Sequence, residues 1–414
     1  MKIAVIGAGF TGLTASYELV RNHHVTVFEK EDDIGGLAGV YQLPHWQWPV
    51  EKHYHHWFTN DKYALDLIRN LGLAKKLIFP RVETSILMEN NILPFDSPGN
   101  VLTFPYLPFP DRIRTGAATL LLKLIPSSLS LNFEKYKACD LLPKFFGEKT
   151  YLAIWEPLLR GKFNGYYQKV NMAWFWARIK KRTPRLGYLE GGYGLLLEKM
   201  VDVIRDLGGK VLLKSQFSPA DVSRFDKVII TSPSSVLSDI FPSLPCKYSS
   251  RLEKIPHLHA LTFHLITKKK FLEKTYWLNI NDRQYPFIAV VQHTNLVSEK
   301  HYGGNHVTYI ANYLPPAHPF LKLSKTNLYK HYLPYLRKIN QNFDFKSLII
   351  RTELFDSAYA QPVFGINYSA FKPDFQTPIK NVYLANMDMV YPWDRGTNYA
   401  IRLGLNIARF VLKN

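Results

Sequence analysis

The stretch Lys2-Ile3-Ala4-Val5-Ile6-Gly7-Ala8-Gly9-Phe10-Thr11-Gly12 decides the fold of this 414-residue chain. Lys2 to Ile6 is a short apolar run suited to a buried parallel strand. Three glycines follow at once with the spacing Gly-x-Gly-x-x-Gly, and Leu13 to Val20 reads as a helix. A second strand, β-branched and aromatic, is predicted over Val25 to Phe28 and ends on Glu29. Each position has a mechanical reason. Gly7 permits the tight turn, Gly9 lets backbone approach a pyrophosphate, and Gly12 lets the helix pack closely on the strand. The helix N-terminus offers free N–H groups to phosphates, and Glu29 arrives about where an acid binds a ribose. A dinucleotide-binding α/β unit is the expectation.

The residues after Glu29 distinguish between dinucleotides. They read Lys30-Glu31-Asp32-Asp33-Ile34-Gly35-Gly36-Leu37-Ala38. A nicotinamide dehydrogenase does not need a glycine pair beyond the ribose acid. The pair resembles the second dinucleotide signature of the amine oxidase superfamily of flavoproteins, where Gly-Gly approaches the extended FAD. Many members have Arg after the pair; this chain has Leu37, so that arginine's role is missing. The resemblance implies FAD held by Gly7, Gly9, Phe10, Thr11 and Gly12, by Glu29 and Lys30, and by Gly35, Gly36, Leu37 and Ala38.

Two later segments read as returns to the same unit. Gly187-Tyr188-Leu189-Glu190-Gly191-Gly192-Tyr193-Gly194 precedes a helix whose apolar positions are Leu196, Leu197, Met200, Val201, Ile204 and Leu207, ended by Gly208-Gly209. Strands are predicted at Val211 to Leu213 and around Val228 to Ile230. Near the C-terminus, a strand at Val382 to Ala385 leads to a helix from about Thr397, a plausible N-cap, to Leu412. Its expected stripe is Ile401, Leu405, Ala408 and Leu412. Both segments resemble the superfamily in content and order. The resemblance implies Phe217 near adenine, and Met387, Asp388 and Asn398 along the ribityl and pyrophosphate side. The expected architecture is a Rossmann-type FAD-binding domain, a parallel sheet with helices on both faces, from residues 1–60, 186–245 and 371–414. An α+β substrate domain would comprise 61–185 and 246–370, so both domains are discontinuous.

Three phrases narrow the resemblance: Glu51-Lys52-His53-Tyr54-His55-His56, Trp155-Glu156-Pro157-Leu158-Leu159-Arg160-Gly161-Lys162-Phe163, and Tyr391-Pro392-Trp393-Asp394-Arg395-Gly396-Thr397-Asn398-Tyr399. They resemble proteins labelled protoporphyrinogen-oxidase-like or phytoene-desaturase-like. His53, His55 and His56 are candidates to stand beside the flavin; the other readings are satisfied loop side chains or metal ligands, and the spacing fits no closed metal site. Arg160, Lys162 and Arg395 are candidates to neutralise a phosphate or carboxylate of a substrate, or to form internal ion pairs. No metal is expected. No cysteine lies near the C-terminal loop where cysteinyl-linked relatives attach flavin, so the FAD is expected to be non-covalent.

Composition sets the remaining bounds. At 47% hydrophobic and 21% charged residues the chain can build a large core, and 26 Phe, 25 Tyr and 8 Trp suit both cores and apolar cavities. The formal charge of +19 favours anionic surfaces, but no basic run of nucleic-acid type occurs. Peripheral membrane-surface contact and a plain basic surface are both open readings. Cys139 and Cys246 suggest neither a disulfide framework nor a metal site. The first strand begins too early for a signal peptide, and the apolar stretch Gly116 to Leu122 stops at Lys123, short of the roughly 20 residues that span a bilayer. A cytoplasmic location, soluble or peripherally bound, is the expectation. The expected activity is FAD-dependent dehydrogenation or reduction of a large apolar small molecule, isoprenoid or porphyrin-like. The alternatives are an isomerase in the manner of UDP-galactopyranose mutase and a non-catalytic flavin-binding partner.

Overall fold

The computed structural model describes residues 1–413. A five-stranded sheet is assembled from distant parts of the chain, in the order Lys210–Leu212, His24–Phe28, Lys2–Ile6, Lys227–Ile230, Val382–Leu384. All four pairings are parallel. Ala4, Val5, Val27, Ile229, Leu384 and their neighbours are fully buried, as a sheet covered on both faces requires.

The first helix begins earlier than its sequence predicts, at Phe10, and runs to Leu19. The glycine-led helix is Tyr193–Asp206; Leu207, expected in its apolar stripe, lies at the C-cap and is half exposed. The last helix, Thr397–Lys413, also differs in its buried face. Thr397 is its first residue, and its buried positions include Ile401, Gly404, Ile407, Ala408 and Val411, whereas Leu412 is exposed. Gly404 is the cause. A Cβ there would lie 2.6 Å from the Thr11 carbonyl oxygen and 2.7 Å from Thr14 Cβ, so the two helices meet backbone to backbone. That contact centres the buried face on residue 404 instead of 405.

A mixed seven-stranded sheet makes the second half. Its order is Ile349–Pro362, His257–Thr267, His306–Leu314, Ala289–Gln292, Thr275–Ile280, Glu83–Met88, Asn91–Pro94. Period-two alternation divides its residues. Leu261, Phe263, Leu265 and Ile310 enter a core closed by Leu328, Tyr332 and Leu336 of the helix Lys325–Ile339. The alternate residues Thr262, His264, Tyr309 and Tyr313 face the opposite way, toward the five-stranded unit. Helices Phe109–Leu124, Ala138–Phe146, Glu156–Phe163 and Met172–Lys181 share a further core built on Phe146, Phe163, Trp174 and Phe175. Strand Leu186–Leu189 pairs with Trp57–Phe58 and Leu77–Ile78 in a small sheet between the two halves. No helix among the described residues is long and apolar enough to cross a membrane.

Candidate active site

The glycine loop adopts the geometry its spacing requires. Gly7 has φ +104°, and a Cβ on Gly12 would lie 2.0 Å from the Gly7 carbonyl oxygen. Only a residue without a side chain lets this helix start against this strand. Gly35, at φ +102°, donates its N–H to Ala8 O at 2.9 Å, which brings the glycine pair beside Gly9. A Cβ on Gly9 would meet only Gly35 O at 3.7 Å, and one on Gly36 only Gly9 Cα at 3.8 Å. Bare backbone therefore lines the mouth of the loop, and no side chain caps the helix behind it. Glu29 ties the loop down: Ala8 N–H donates to one carboxylate oxygen at 2.8 Å and Glu31 N–H to the other at 3.1 Å. Both oxygens retain acceptor capacity for a ribose. Ser232, just beyond the neighbouring strand, is a buried hydroxyl with no protein partner. Uncapped N–H groups, bare backbone, a ribose acid and an unpartnered hydroxyl fit an extended dinucleotide.

The other expected cofactor residues fall out unevenly. Phe217 is buried edge-on against Phe28 and tilted against Phe225, close to Glu29, whose carbonyl accepts from Ser215 N–H at 2.8 Å. Lys30 is exposed and paired with Glu31. Leu37 packs on the helical core of the second half and Ala38 is buried in the core of the first. The Thr11 hydroxyl donates to Ala400 O at 3.2 Å, holding the last helix. Met387 is half-buried in the same core. Asp388 has both carboxylate oxygens engaged, with Ser234 at 2.6 Å and His257 at 2.5 Å. Asn398 accepts from Ala64 N–H at 3.1 Å. The side chains of Asp388 and Asn398 thus brace the C-terminal segment.

The three histidines differ in what they have left to offer. His53 is saturated, one ring nitrogen on Thr262 at 2.7 Å and the other on Ser357 at 2.8 Å. It clamps the loop to the large sheet. His56 touches Tyr276 OH at 3.3 Å. His55 Nδ1 lies 2.6 Å from the His53 carbonyl oxygen. A carbonyl only accepts, so Nδ1 carries the proton and Nε2 is left as a free acceptor. Burial and then Arg395 hold His55 down to about 4, and burial holds His56 down to about 3. All three rings are neutral near pH 7; His53 is also pushed down, chiefly by burial. The His55 ring packs 5.6 Å from Tyr193, which stacks on Trp57 at 4.0 Å and meets Phe10 of the glycine loop edge-on. An aromatic wall thus joins the loop to His55. Beneath it Glu51 is fully buried, accepting from Tyr188 OH at 2.7 Å and Tyr309 OH at 3.4 Å, and burial raises it to about 7. Among the described residues no group of three or more His, Cys, Asp or Glu side chains is placed to hold a metal.

Of the three cationic candidates, two converge and one does not. Arg160 pairs with Glu156 at 2.9 Å and lies over the Tyr167 ring, in a separate network that includes Arg283. Lys162 and Arg395 instead meet at Asp394. That carboxylate binds Lys162 at 3.1 Å, Arg178 at 2.8 Å, the Trp174 indole at 3.2 Å and the Arg395 backbone N–H at 3.1 Å. The Arg395 guanidinium continues to Gln361 at 3.1 Å and to the Tyr313 hydroxyl. Burial presses Arg182 down to about 9, Arg178 adds to the effect, and the Asp394 carboxylate opposes it. Burial would raise the Tyr313 phenol, but Arg395 and Lys162 outweigh it and bring it below its ordinary value. Lys162 and Arg178 thus pair with Asp394, and Arg395 and Arg182 stand near it, in a wall of Tyr54, Trp174 and Tyr313. Arg178, Arg182 and Tyr313 are not legible in the sequence, because the spacing within each segment says nothing about convergence across segments.

The sequence profile of flavin-containing amine oxidoreductases matches residues 10–412. The chain also resembles solved structures over 100% of its length. An Exiguobacterium protein assigned as a protoporphyrinogen oxidase aligns with TM-score 0.76 at 17% identity over 99% of its own chain. A reduced UDP-galactopyranose mutase gives 0.76 at 15% over 95%, and cyclohexylamine oxidase from Brevibacterium oxydans 0.71 at 15% over 98%. At such identities the likeness carries the fold alone. No curated protein matches the sequence. The profile, spanning nearly the whole chain and meeting a cradle shaped for a dinucleotide, shows that this protein belongs to the flavin-containing amine oxidoreductase family.

Proposed function

We propose that this flavin oxidoreductase binds FAD without a covalent link and dehydrogenates or reduces a substrate that joins a large apolar part to an anionic group, an isoprenoid or porphyrin-like compound in phosphate or carboxylate form. The observation that carries the reading is the excess of Lys162, Arg178, Arg182 and Arg395 over Asp394 in a buried wall. Buried cations without counter-charges are costly, and an anionic ligand group relieves that cost. The non-covalent link rests on the placement of Cys139 and Cys246, both outside the C-terminal segment.

FAD, when bound, supplies hydride exchange at its N5 nitrogen, the hard part of the chemistry. Gly7, Gly9, Gly12 and Gly36 would hold its pyrophosphate and Glu29 its ribose. Arg395 and Lys162 orient the substrate by its anionic end. Trp57, Tyr193 and Tyr54 exclude water from the apolar part. Where the dehydrogenated carbon bears an acidic neighbour, His55 Nε2 is the neutral acceptor for its proton.

The test is an anaerobic titration of the FAD-loaded protein with matched pairs: an isoprenoid diphosphate against its alcohol, and a porphyrinogen against its ester. Loss of oxidised-flavin absorbance with the anionic member alone is expected. Equal response to both members, or to neither, overturns the proposal. The cation excess also favours a second reading, isomerisation of a nucleotide-diphosphate sugar with no net redox change. Turnover of such a sugar only after dithionite reduction would select it.

A further inference from the structure

The helix Phe109–Leu124 has apolar residues on both sides. Thr115, Ala118 and Leu122 are buried, as a helix packed on a core requires. The opposite side is apolar too and bare: Phe109 is 64% exposed, Ile113 49%, Leu120 60% and Leu124 68%. Their spacing of four, seven and four residues, with Ala117 between, puts them on one stripe. Leu121 widens it, and Leu129 and Leu131 extend it past the helix end. Ten of the nineteen exposed large hydrophobic side chains among the described residues fall between Leu102 and Leu152, so the feature is a patch rather than scatter.

Charge identifies the occupant. Asp111, in the first turn of the helix, is the one acidic residue between Phe109 and Phe133. Lysines bracket the stripe at both ends. Arg114 donates to the carbonyls of Lys144 and Phe145, which sets Lys144 beside the first half of the helix. Lys123 and Lys180 cross at the far end, where Lys180 Nζ reaches Ile125 O at 3.0 Å. A second copy of the chain, also +19, would bring like charges together across a two-fold contact. A surface of anionic lipid takes the apolar stripe and the lysines together.

We infer that the chain docks on anionic bilayer surfaces through the stripe Phe109, Ile113, Leu120 and Leu124 and its flanking lysines. The helix lies in the interface without crossing it. The inference does not depend on the proposed substrate. It does set the docked face next to the cationic wall, because Lys123 Nζ lies 3.4 Å from the Arg182 carbonyl oxygen.

The test is co-sedimentation of FAD-loaded protein with vesicles of phosphatidylcholine containing phosphatidylglycerol, at low and high salt. Binding that weakens with salt is expected. Leu120→Ser with Leu124→Ser should lower affinity on the order of a hundredfold, because two leucines are withdrawn from the apolar interior. Both positions are exposed, so unchanged circular dichroism and flavin content should confirm an intact fold. No binding to anionic vesicles, or binding that the double substitution leaves unaltered, overturns the inference. So does a self-associating protein that the substitutions turn monomeric without any vesicle binding, which would assign the face to a second copy.

Discussion

Asp394→Asn isolates the charge balance of the site. In the native chain Asp394 faces Lys162 at 3.1 Å and Arg178 at 2.8 Å. With an effective dielectric constant of about 20, each contact contributes roughly 5 to 6 kcal/mol of raw attraction. Desolvation offsets most of it, and breaking a buried pair from one side costs about 3 to 5 kcal/mol net. Asn keeps an acceptor for Trp174 and for Arg395 N–H, so the loss is mainly of charge. Burial alone would raise the Asp394 carboxyl, yet Lys162 and Arg178 hold it far below its ordinary range. A depressed folded value means stability that is present above about pH 4 and lost as pH falls below it. The assay is urea unfolding of wild type and variant at fixed FAD, repeated with pyrophosphate. The variant should be less stable by about 3 to 5 kcal/mol at pH 7. The gap should narrow below about pH 4, where the wild type loses the same charge. Pyrophosphate should recover part of the loss, since the variant has one more unbalanced cation to offer. A variant within about 1 kcal/mol of wild type at pH 7 would show that the cations are balanced elsewhere, and would remove the basis for an anionic substrate.

Two further outcomes follow from the geometry. Gly12→Ala places a methyl 2.0 Å from the Gly7 carbonyl oxygen, so the loop must open; purified protein should lose most of its bound FAD, read as the ratio of flavin to protein absorbance, and full retention would contradict the close packing. Glu51 has a folded value raised by burial from 4.5 to about 7, so the ionised form is penalised above pH 7 and nothing is lost below 4.5. Glu51→Gln should therefore gain up to about 3 kcal/mol of stability at pH 8 and none near pH 4, and a difference independent of pH would refute the raised value.

Much of the cofactor side was legible because its determinants are local. Gly7, Gly9 and Gly12 act within one turn, and the strand before them and the acid after them lie within 30 residues. The helix at Tyr193 and the strand at Val382 were recognisable for the same reason. The last helix shows where such reading stops. Its periodicity suggested Leu405 and Leu412, but the neighbour it meets is the first helix, nearly 400 residues earlier, and Gly404 takes the contact. The candidate site divides along the same line. Its histidines stood out as a run, yet only the large sheet separates His53, saturated by Thr262 and Ser357, from His55 with a free ring nitrogen. Arg160 and Lys162 are two residues apart in sequence but belong to different networks, since neighbours on a helix at that spacing face different ways.

By itself the sequence determined the dinucleotide fold and, through the glycine pair and its family resemblance, the kind of cofactor, because backbone conformation at glycines and strand–helix alternation are short-range properties. The tertiary structure alone decided which charges meet. Lys162, Arg178, Arg182 and the Asp394–Arg395 pair come from three segments separated by up to 233 residues. Their number exceeds the one carboxylate among them only once the fold has excluded water and brought them together.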